Sequence, residues 1–241
     1  PAAVGRRAGE RAVQRLKPRK VATAKVPVVF DPRVAGSMVG HLLGAINGAS
    51  IARGTSFLKD KMGEAAMSPG IRIVDDPLRP RGLRSKPFDG EGLAAERIEV
   101  VEDGRLTTWL LDLRSARQLK LKSNGRASRG TSGPPGPAST NAYLDKGKVS
   151  RADLLRGVES GLYVNEMIGF GVSMITGDYS RGATGFWIEN GQMAYPVSEV
   201  TIAGNLKDML RDIVAVGADR YTQGSKTVGS VLLGRMKLAG A

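Results

Sequence analysis

The sequence predicts an α+β fold: one large, mainly antiparallel sheet, strongly twisted or barrel-like, with a few covering helices. Three observations carry that expectation. Segments with strand periodicity outnumber helical ones. Several neighbouring strands are joined by turn sequences of the hairpin type. Finally, 32 glycines set against 5% aromatic residues suit tight turns and closely approaching strands better than a helical bundle. At 241 residues and 41% hydrophobic content, the chain can bury one large core or two small ones.

The elements follow in chain order. Residues 5–16 read as a short basic helix with Ala8, Ala12, Val13 and Leu16 on one face, ended by Pro18. Residues 26–30 are a strand, and Pro27 puts it at a sheet edge or a strand start. Asp31-Pro32 starts a helix, with Asp as cap and Pro at the first helical position. Its apolar stripe is Val34, Met38, Leu42 and Ile46, and it ends near Asn47-Gly48. Residues 51–63 form a loop that tucks Phe57 and Leu58 into the core. Residues 71–74 are a strand stopped by Asp75-Asp76-Pro77. Adjacent strand residues point to opposite faces, so these two carboxylates read as turn residues rather than a catalytic pair. Residues 78–92 form a long loop in which Asp89 and Glu91 hold the backbone by hydrogen bonds or pair with Arg81 or Arg84.

Residues 95–101 and 105–111 are strands of a hairpin turning at Glu102-Asp103-Gly104, followed by a short basic helix over 115–121. Residues 124–139 are rich in Gly, Ser and Pro, a segment either mobile or ordered by a partner. A strand covers 141–144, and Ser150 caps a helix with Asp153 at the capping-box position. Strands over 162–168 and 172–175 lead into the densest pattern of the chain. There a Gly-rich loop over 177–185 carries Asp178, Tyr179, Ser180 and Arg181, and feeds the apolar run Phe186-Trp187-Ile188. Asn190-Gly191 fits a two-residue turn whose central positions need φ > 0. Strands over 192–195 and 199–203 flank Pro196, and Asn205 caps a helix that begins at Leu206, with Asp208 in its first turn. Residues 206–216 pass from helix to strand, and 227–238 form the last strand.

The net charge is +13, which raises the question of a nucleic-acid partner. Residues 1–25 hold eight bases against one acid, and residues 113–130 hold six bases and no acid. These two segments account for the whole excess. Neither contains an aromatic residue for stacking on bases, so solvated faces or partner-covered surfaces are the better reading than DNA binding. Cysteine is absent. That removes disulfides, thiolate ligands and a cysteine nucleophile, and suits a cytoplasmic protein. No apolar run approaches a membrane span, and no apolar core follows the basic start.

Taken alone, the 177–205 stretch is a β-meander whose glycines permit tight turns. Its run Gly177-Asp178-Tyr179-Ser180-Arg181-Gly182-Ala183-Thr184-Gly185-Phe186-Trp187-Ile188-Glu189-Asn190-Gly191, continued by Tyr195-Pro196-Val197 and Thr201-Ile202-Ala203-Gly204-Asn205-Leu206, also resembles the signature of the TldD/PmbA family, once called modulators of DNA gyrase. The closer likeness is to the PmbA (TldE) branch. Two earlier stretches fit the same branch: Gly54-Thr55-Ser56-Phe57-Leu58-Lys59-Asp60-Lys61-Met62-Gly63, and Asp75-Asp76-Pro77 followed by Phe88-Asp89-Gly90-Glu91-Gly92. The likeness runs from about Val26 to the C-terminus. It implies that residues 1–25 are a basic helix and linker left from an N-terminal domain, and that 26–241 are the family's C-terminal domain.

In the TldD branch the helix equivalent to the one beginning at Pro32 resembles a zinc-binding His-Glu-x-x-x-His motif. Here the matching window is Val39-Gly40-His41-Leu42-Leu43-Gly44. Valine and two glycines stand at the ligand and glutamate positions. His41, the single histidine of the chain, falls between them and reads as structural. A catalytic zinc needs three protein ligands, and this window does not supply them. Had a metal been held all the same, Asp75, Asp76, Asp89, Glu91 and His41 would be the side chains to examine. The resemblance thus implies a non-catalytic subunit of a TldD/TldE-type metalloprotease acting on unfolded peptides. The zinc would belong to a TldD-type partner, the chain itself would carry no cofactor, and dimerisation would be with that partner or with a second copy. Asp178, Tyr179, Ser180 and Arg181 are the candidates for the peptide or partner surface. The alternative is a binding protein that modulates DNA gyrase or its inhibitors. A serine hydrolase built on Ser180 or Ser56 has neither a nearby histidine base nor a Gly-x-Ser-x-Gly elbow to support it.

Overall fold

A computed structural model describes residues 1–145 and 147–240. Its main sheet closes on itself. Strands β1 (Ala24–Phe30), β8 (Ser160–Ile168), β9 (Asp178–Glu189), β10 (Gln192–Asn205) and β14 (Val231–Ala239) bond in that order, and β14 returns to β1. Every seam is antiparallel except β1–β8, which runs parallel from Val28 to Phe30. β11 (Ile213–Val216) joins β14 beyond the stretch that β10 occupies. The α+β, barrel-like expectation is what the chain adopts.

Side-chain alternation explains the closure. Val28, Phe30, Leu162, Val164, Ile202 and Leu238 are buried in the main core. The intervening Val29, Tyr163, Ile188 and Leu232 form a second cluster on the other face, covered by Leu154, Leu155 and Val158 of and just after helix α5 (Arg151–Arg156). β1 is therefore no edge. Pro27 is tolerated because it sits where the β1–β14 register shifts and just before the ladder to β8 begins.

A second sheet runs β12 (Tyr221–Gln223), β13 (Lys226–Val228), β7 (Ala142–Leu144), β2 (Ile73–Asp75), β3 (Ile98–Glu102), β4 (Arg105–Leu106). Helix α2 (Pro32–Ala45) lies between it and the barrel, and buries Val34, Met38, Val39, Leu42 and Leu43. Asp31 caps α2 by accepting from the Arg33 N–H at 3.0 Å. α2 ends at Ala45, close to the expected place, but Asn47-Gly48 is not its C-terminal cap. Instead Asn47 accepts from the Ala49 and Ser50 N–H groups and opens helix α3 (Gly48–Ala52), whose last two residues overlap the segment read as loop.

Local chemistry placed other elements correctly. Asp103 and Gly104, and Asn190 and Gly191, all have positive φ. Ser150 and Asp153 form the reciprocal capping box of α5, and Asn205 caps α6 (Leu206–Arg211). Phe57 and Leu58 are buried. Helix α4 (Leu113–Gln118) starts slightly earlier than expected, capped by Asp112.

Several expectations fail for tertiary reasons. Residues 178–185 belong to strand β9 rather than to a loop; Gly185 serves close approach to β8, Gly182 meets only an ordinary side-chain contact, and Gly177, just before the strand, keeps a positive φ. β10 runs unbroken through Pro196, with a bulge at Glu199 (φ 56°). Residues 172–175 make one bridge, Val172 to Tyr179, and no strand. The 105–111 strand stops at Leu106, and 227–238 is divided into β13 and β14. Helix α1 (Ala2–Gln14) buries no residue; the chain behind it is moored by Arg15 to Glu166 and Asn165 and by Arg19 over the Tyr195 ring. The 124–139 segment is not loose. It holds the hairpin β5 (Ala127–Ser128) and β6 (Gly136–Pro137), and Arg126 within it is wholly buried against Asp75. Asp75 is thus a core ion-pair partner and no turn residue. Asp76 alone takes the turn role, accepting from the Leu78 N–H. No helix of the described residues is long and apolar enough to cross a membrane.

Candidate functional site

The outward stripe of α2 is a floor of small residues. Gly36, Ser37, Gly40, His41 and Gly44 recur at helical spacing and remain at least partly open to solvent. One wall is β12–β13, with Tyr221, Gln223, Lys226 and Val228 around a cavity of about 390 Å³. The other is β8–β9, with Asn165, Glu166, Met167 and Arg181 around a cavity of about 490 Å³. Arg33 and Ser37 border both cavities. A side chain of β13 and one of the segment that links β8 to β9 lean over the glycines. The Lys226 Cε lies 3.3 Å from where a Gly40 Cβ would be, and the Met174 methyl 3.4 Å from that of Gly44.

His41 stands on the same helix stripe, part-buried, and borders neither cavity. Its ring meets Tyr179 edge-on at 6.2 Å, and its Nε2 is buried with no hydrogen-bond partner. Burial holds the imidazole below its ordinary value, and the nearby charges of Arg181 and Lys226 push the same way. Tyr179 is 2% exposed. Burial pushes its phenol up to about 12, so it stays protonated and contacts the Met167 sulfur. Arg181 is half-buried, and its Nε has no partner.

The floor is anchored at its start by Asp31. Burial alone would raise its carboxyl, but hydrogen bonds from the Arg33 side chain and the Tyr163 hydroxyl (2.7 Å) outweigh that and hold it below the ordinary range. The stability it contributes is complete above its unfolded pKa of about 3.9 and is lost as pH falls through the lower folded value. Asp31→Asn keeps a good cap but gives up the ion pair. Acid unfolding of this variant should show a shallower loss of stability below about pH 4; a profile identical to the parent would contradict this assignment.

The four expected surface residues divide. Tyr179 and Arg181 face His41 and α2. Asp178 and Ser180 alternate to the exposed face. Asp178 braces the start of β9 through Thr176 and Asn205, whose hydrogen bonds hold its carboxyl low. Ser180 has no base beside it in the hydrogen-bonding pattern, and Ser56 is buried, bonded to the Ala45 carbonyl and the Leu58 N–H. Asp89 accepts from the Glu91, Leu93 and Ala127 N–H groups, while Glu91 accepts from Leu113. Both therefore hold the loop by hydrogen bonds, with neither Arg81 nor Arg84 as partner. Among the described residues no three His, Asp or Glu side chains gather around a common point suited to a metal ion. The groove does not fit a zinc: its one imidazole is flanked by two cations.

Sequence reasoning missed Arg33, Ser37 and Lys226. One signal was readable: Gly36, Gly40 and Gly44 share a helix face at some loss of helix propensity, which marks a surface kept bare.

A family model described as the PmbA/TldA metallopeptidase C-terminal domain matches residues 23–240. The chain belongs to this family. PmbA-type proteins are its near relatives. The metalloprotease PmbA of Escherichia coli is 47% identical over the whole chain, and the PmbA homolog of Haemophilus influenzae 40%. The chain spans about half the length of these curated relatives, 51% of each. Among solved structures, a Thermotoga maritima protein described as a candidate modulator of a DNA gyrase superposes with a TM-score of 0.91 at 32% identity, over 98% of this chain and 55% of that one. TldE from Thermococcus kodakarensis gives 0.87 at 25% identity, over 96% and 55%.

Proposed function

We propose that this PmbA/TldA-family chain acts as a non-catalytic, peptide-contacting member of a cytoplasmic two-chain metalloprotease, whose metal is supplied by a TldD-type partner. The observation that carries the reading is the α2 window. Val39, Gly40 and Gly44 stand where the catalytic branch places its metal ligands and glutamate, and Arg181 and Lys226 flank the one imidazole. The names of the relatives support proteolysis as the shared activity. A bare glycine floor between two strand walls suits an extended, unfolded peptide, which main-chain hydrogen bonds can hold with little regard to sequence.

Metal content and peptidase activity, measured on the protein alone and mixed with a TldD-type chain, test this. The expected result is no zinc and no cleavage alone, and chelator-sensitive cleavage on mixing. Stoichiometric zinc or cleavage by this protein alone would overturn the reading. The second reading, a gyrase modulator, is favoured by the description of the Thermotoga relative and by the exposed basic helix α1. Duplex binding that weakens steeply with salt would support it. The burial of Arg126 removes one base from the second basic segment and weakens that case.

A further inference from the structure

We propose that the cavity between helix α1 and the start of α2 is an anion site for a phosphate group, held by Arg11, Arg151 and Arg220. Four guanidinium side chains line this cavity of about 180 Å³: Arg11, Arg33, Arg151 and Arg220. They come from α1, from α2, from the first position of α5 and from the segment between β11 and β12. Two acids share the lining, Asp31 and Asp219, and both are engaged within the chain. Asp31 accepts from the Arg33 side chain and the Tyr163 hydroxyl. The two Asp219 oxygens accept from the Ser230 N–H at 3.0 Å and from the Ser230 hydroxyl at 2.7 Å. Arg11, Arg151 and Arg220 form no salt bridge among the described residues. Arg220 stands over the Tyr143 ring at 5.6 Å, a contact that leaves its charge uncancelled. Four cations against two acids give the lining an excess of two positive charges.

That excess selects the ligand. A phosphate group carries about −1.5 to −2 charges at neutral pH and offers three strongly accepting oxygens. Guanidinium groups that reach in from separate elements meet a tetrahedral group from several sides, each through paired N–H donors. A carboxylate is planar and singly charged, so it answers one of them and leaves the others repelling. Size agrees with this choice. Pockets for drug-sized ligands run from about 300 to 1,000 Å³, and this smaller cavity takes one compact polar group. A nucleic-acid duplex would bring a row of phosphates to a recess that takes one.

Helix α1 gives the site a consequence. The helix buries none of its residues, and the chain behind it is fixed to the body by Arg15. A phosphate held by Arg11 on one side and by Arg151 and Arg220 on the other fastens α1 a second time, through its own last turns. Binding therefore orders the helix against the body, and it needs neither a peptide nor a partner chain.

Calorimetric titration of the protein with inorganic phosphate tests this, with acetate and adenosine monophosphate as comparison ligands at constant ionic strength. Phosphate should bind one to one, and acetate at least about tenfold more weakly. Equal binding of the nucleotide identifies the ligand as a phosphate monoester, and binding of phosphate alone identifies it as the free ion. Arg151→Gln and Arg220→Gln should each weaken phosphate binding by about tenfold or more. Both residues are exposed, so both variants should fold as the parent does. Arg11→Gln should weaken it likewise, and should remove the added protection from hydrogen exchange that phosphate gives the α1 amides. Arg6→Gln, on the same helix but outside the cavity lining, removes an equal charge and should leave the affinity unchanged. The proposal is overturned if phosphate shows no saturable binding, or if acetate binds as tightly. It also falls if Arg6→Gln weakens binding as much as Arg151→Gln, which would make the effect one of net charge, or if a DNA duplex, and not phosphate, is the ligand that the three cavity substitutions weaken.

Discussion

Replacing Asp75 by alanine is expected to destabilise the protein by about 3–5 kcal/mol, because it leaves the Arg126 guanidinium buried without a counter-charge. Both side chains are 0% exposed. One Asp75 oxygen accepts from Arg126 Nε at 2.6 Å and from the Thr140 hydroxyl at 3.0 Å; the other accepts from the Thr140 N–H at 2.7 Å. The remaining Arg126 donors go to the carbonyls of Asn124, Gly125, Glu96 and Asp75 itself. The pair thereby fastens the 124–139 segment to the middle of the second sheet. Urea unfolding measures the effect. The double variant Asp75→Ala, Arg126→Met should recover part of the loss, since no lone charge then remains. A single-variant loss below about 1 kcal/mol would mean that water reaches the site and that the pair is not what orders this segment.

Gly185→Ala should be worse still, above about 4 kcal/mol or incompatible with folding. A Cβ at this position would stand 1.8 Å from the Tyr163 carbonyl oxygen and 3.1 Å from the Val164 Cα. The obstacle is the backbone of the neighbouring strand, so no rotamer change relieves it. Accommodation requires β8 and β9 to part where their register already shifts. Gly182→Ala, on the same strand, is the control. Its Cβ would meet the Ile168 side chain at 3.5 Å, an ordinary contact, and the change should stay within about 1 kcal/mol. Thermal unfolding of the two variants separates a demand for close approach from a general weakness of strand glycines. Equal tolerance of both would refute the packing argument.

The contrast between these glycines shows what could be read from the sequence. Signals that act over a few residues were legible. Asp31-Pro32 starts a helix, Ser150 and Asp153 form a cap, and Asn190-Gly191 makes a turn, each because its chemistry is complete within the segment. Features that need a distant partner were not. Gly185 looked like a loop residue because the carbonyl it must clear belongs to Tyr163. Asp75 looked like a turn acid because its partner, Arg126, lay among bases read as solvated. The groove was half legible for the same reason. His41, Tyr179 and Arg181 sit in motifs that drew notice, whereas Lys226 arrives from a short strand whose sequence has no distinctive pattern. Alternation along β9, once that segment is known to be a strand, is what separates Arg181 from Ser180.

Closure of the barrel by β14 has a consequence for how the protein is made. The strand that completes the ring pairs Ala24 with Leu238, far apart in sequence. A ribosome releases the first partner long before the second exists. Until then β1 lacks one neighbour, and the β10 flank that β14 will occupy is open, so nascent chains expose two unpaired strand edges. So long a loop to close before the last contacts form also makes folding slow. Protection of β1 amides from hydrogen exchange should therefore appear late in refolding, together with that of β14, and chaperone dependence during synthesis should rest on these two strands more than on the helices.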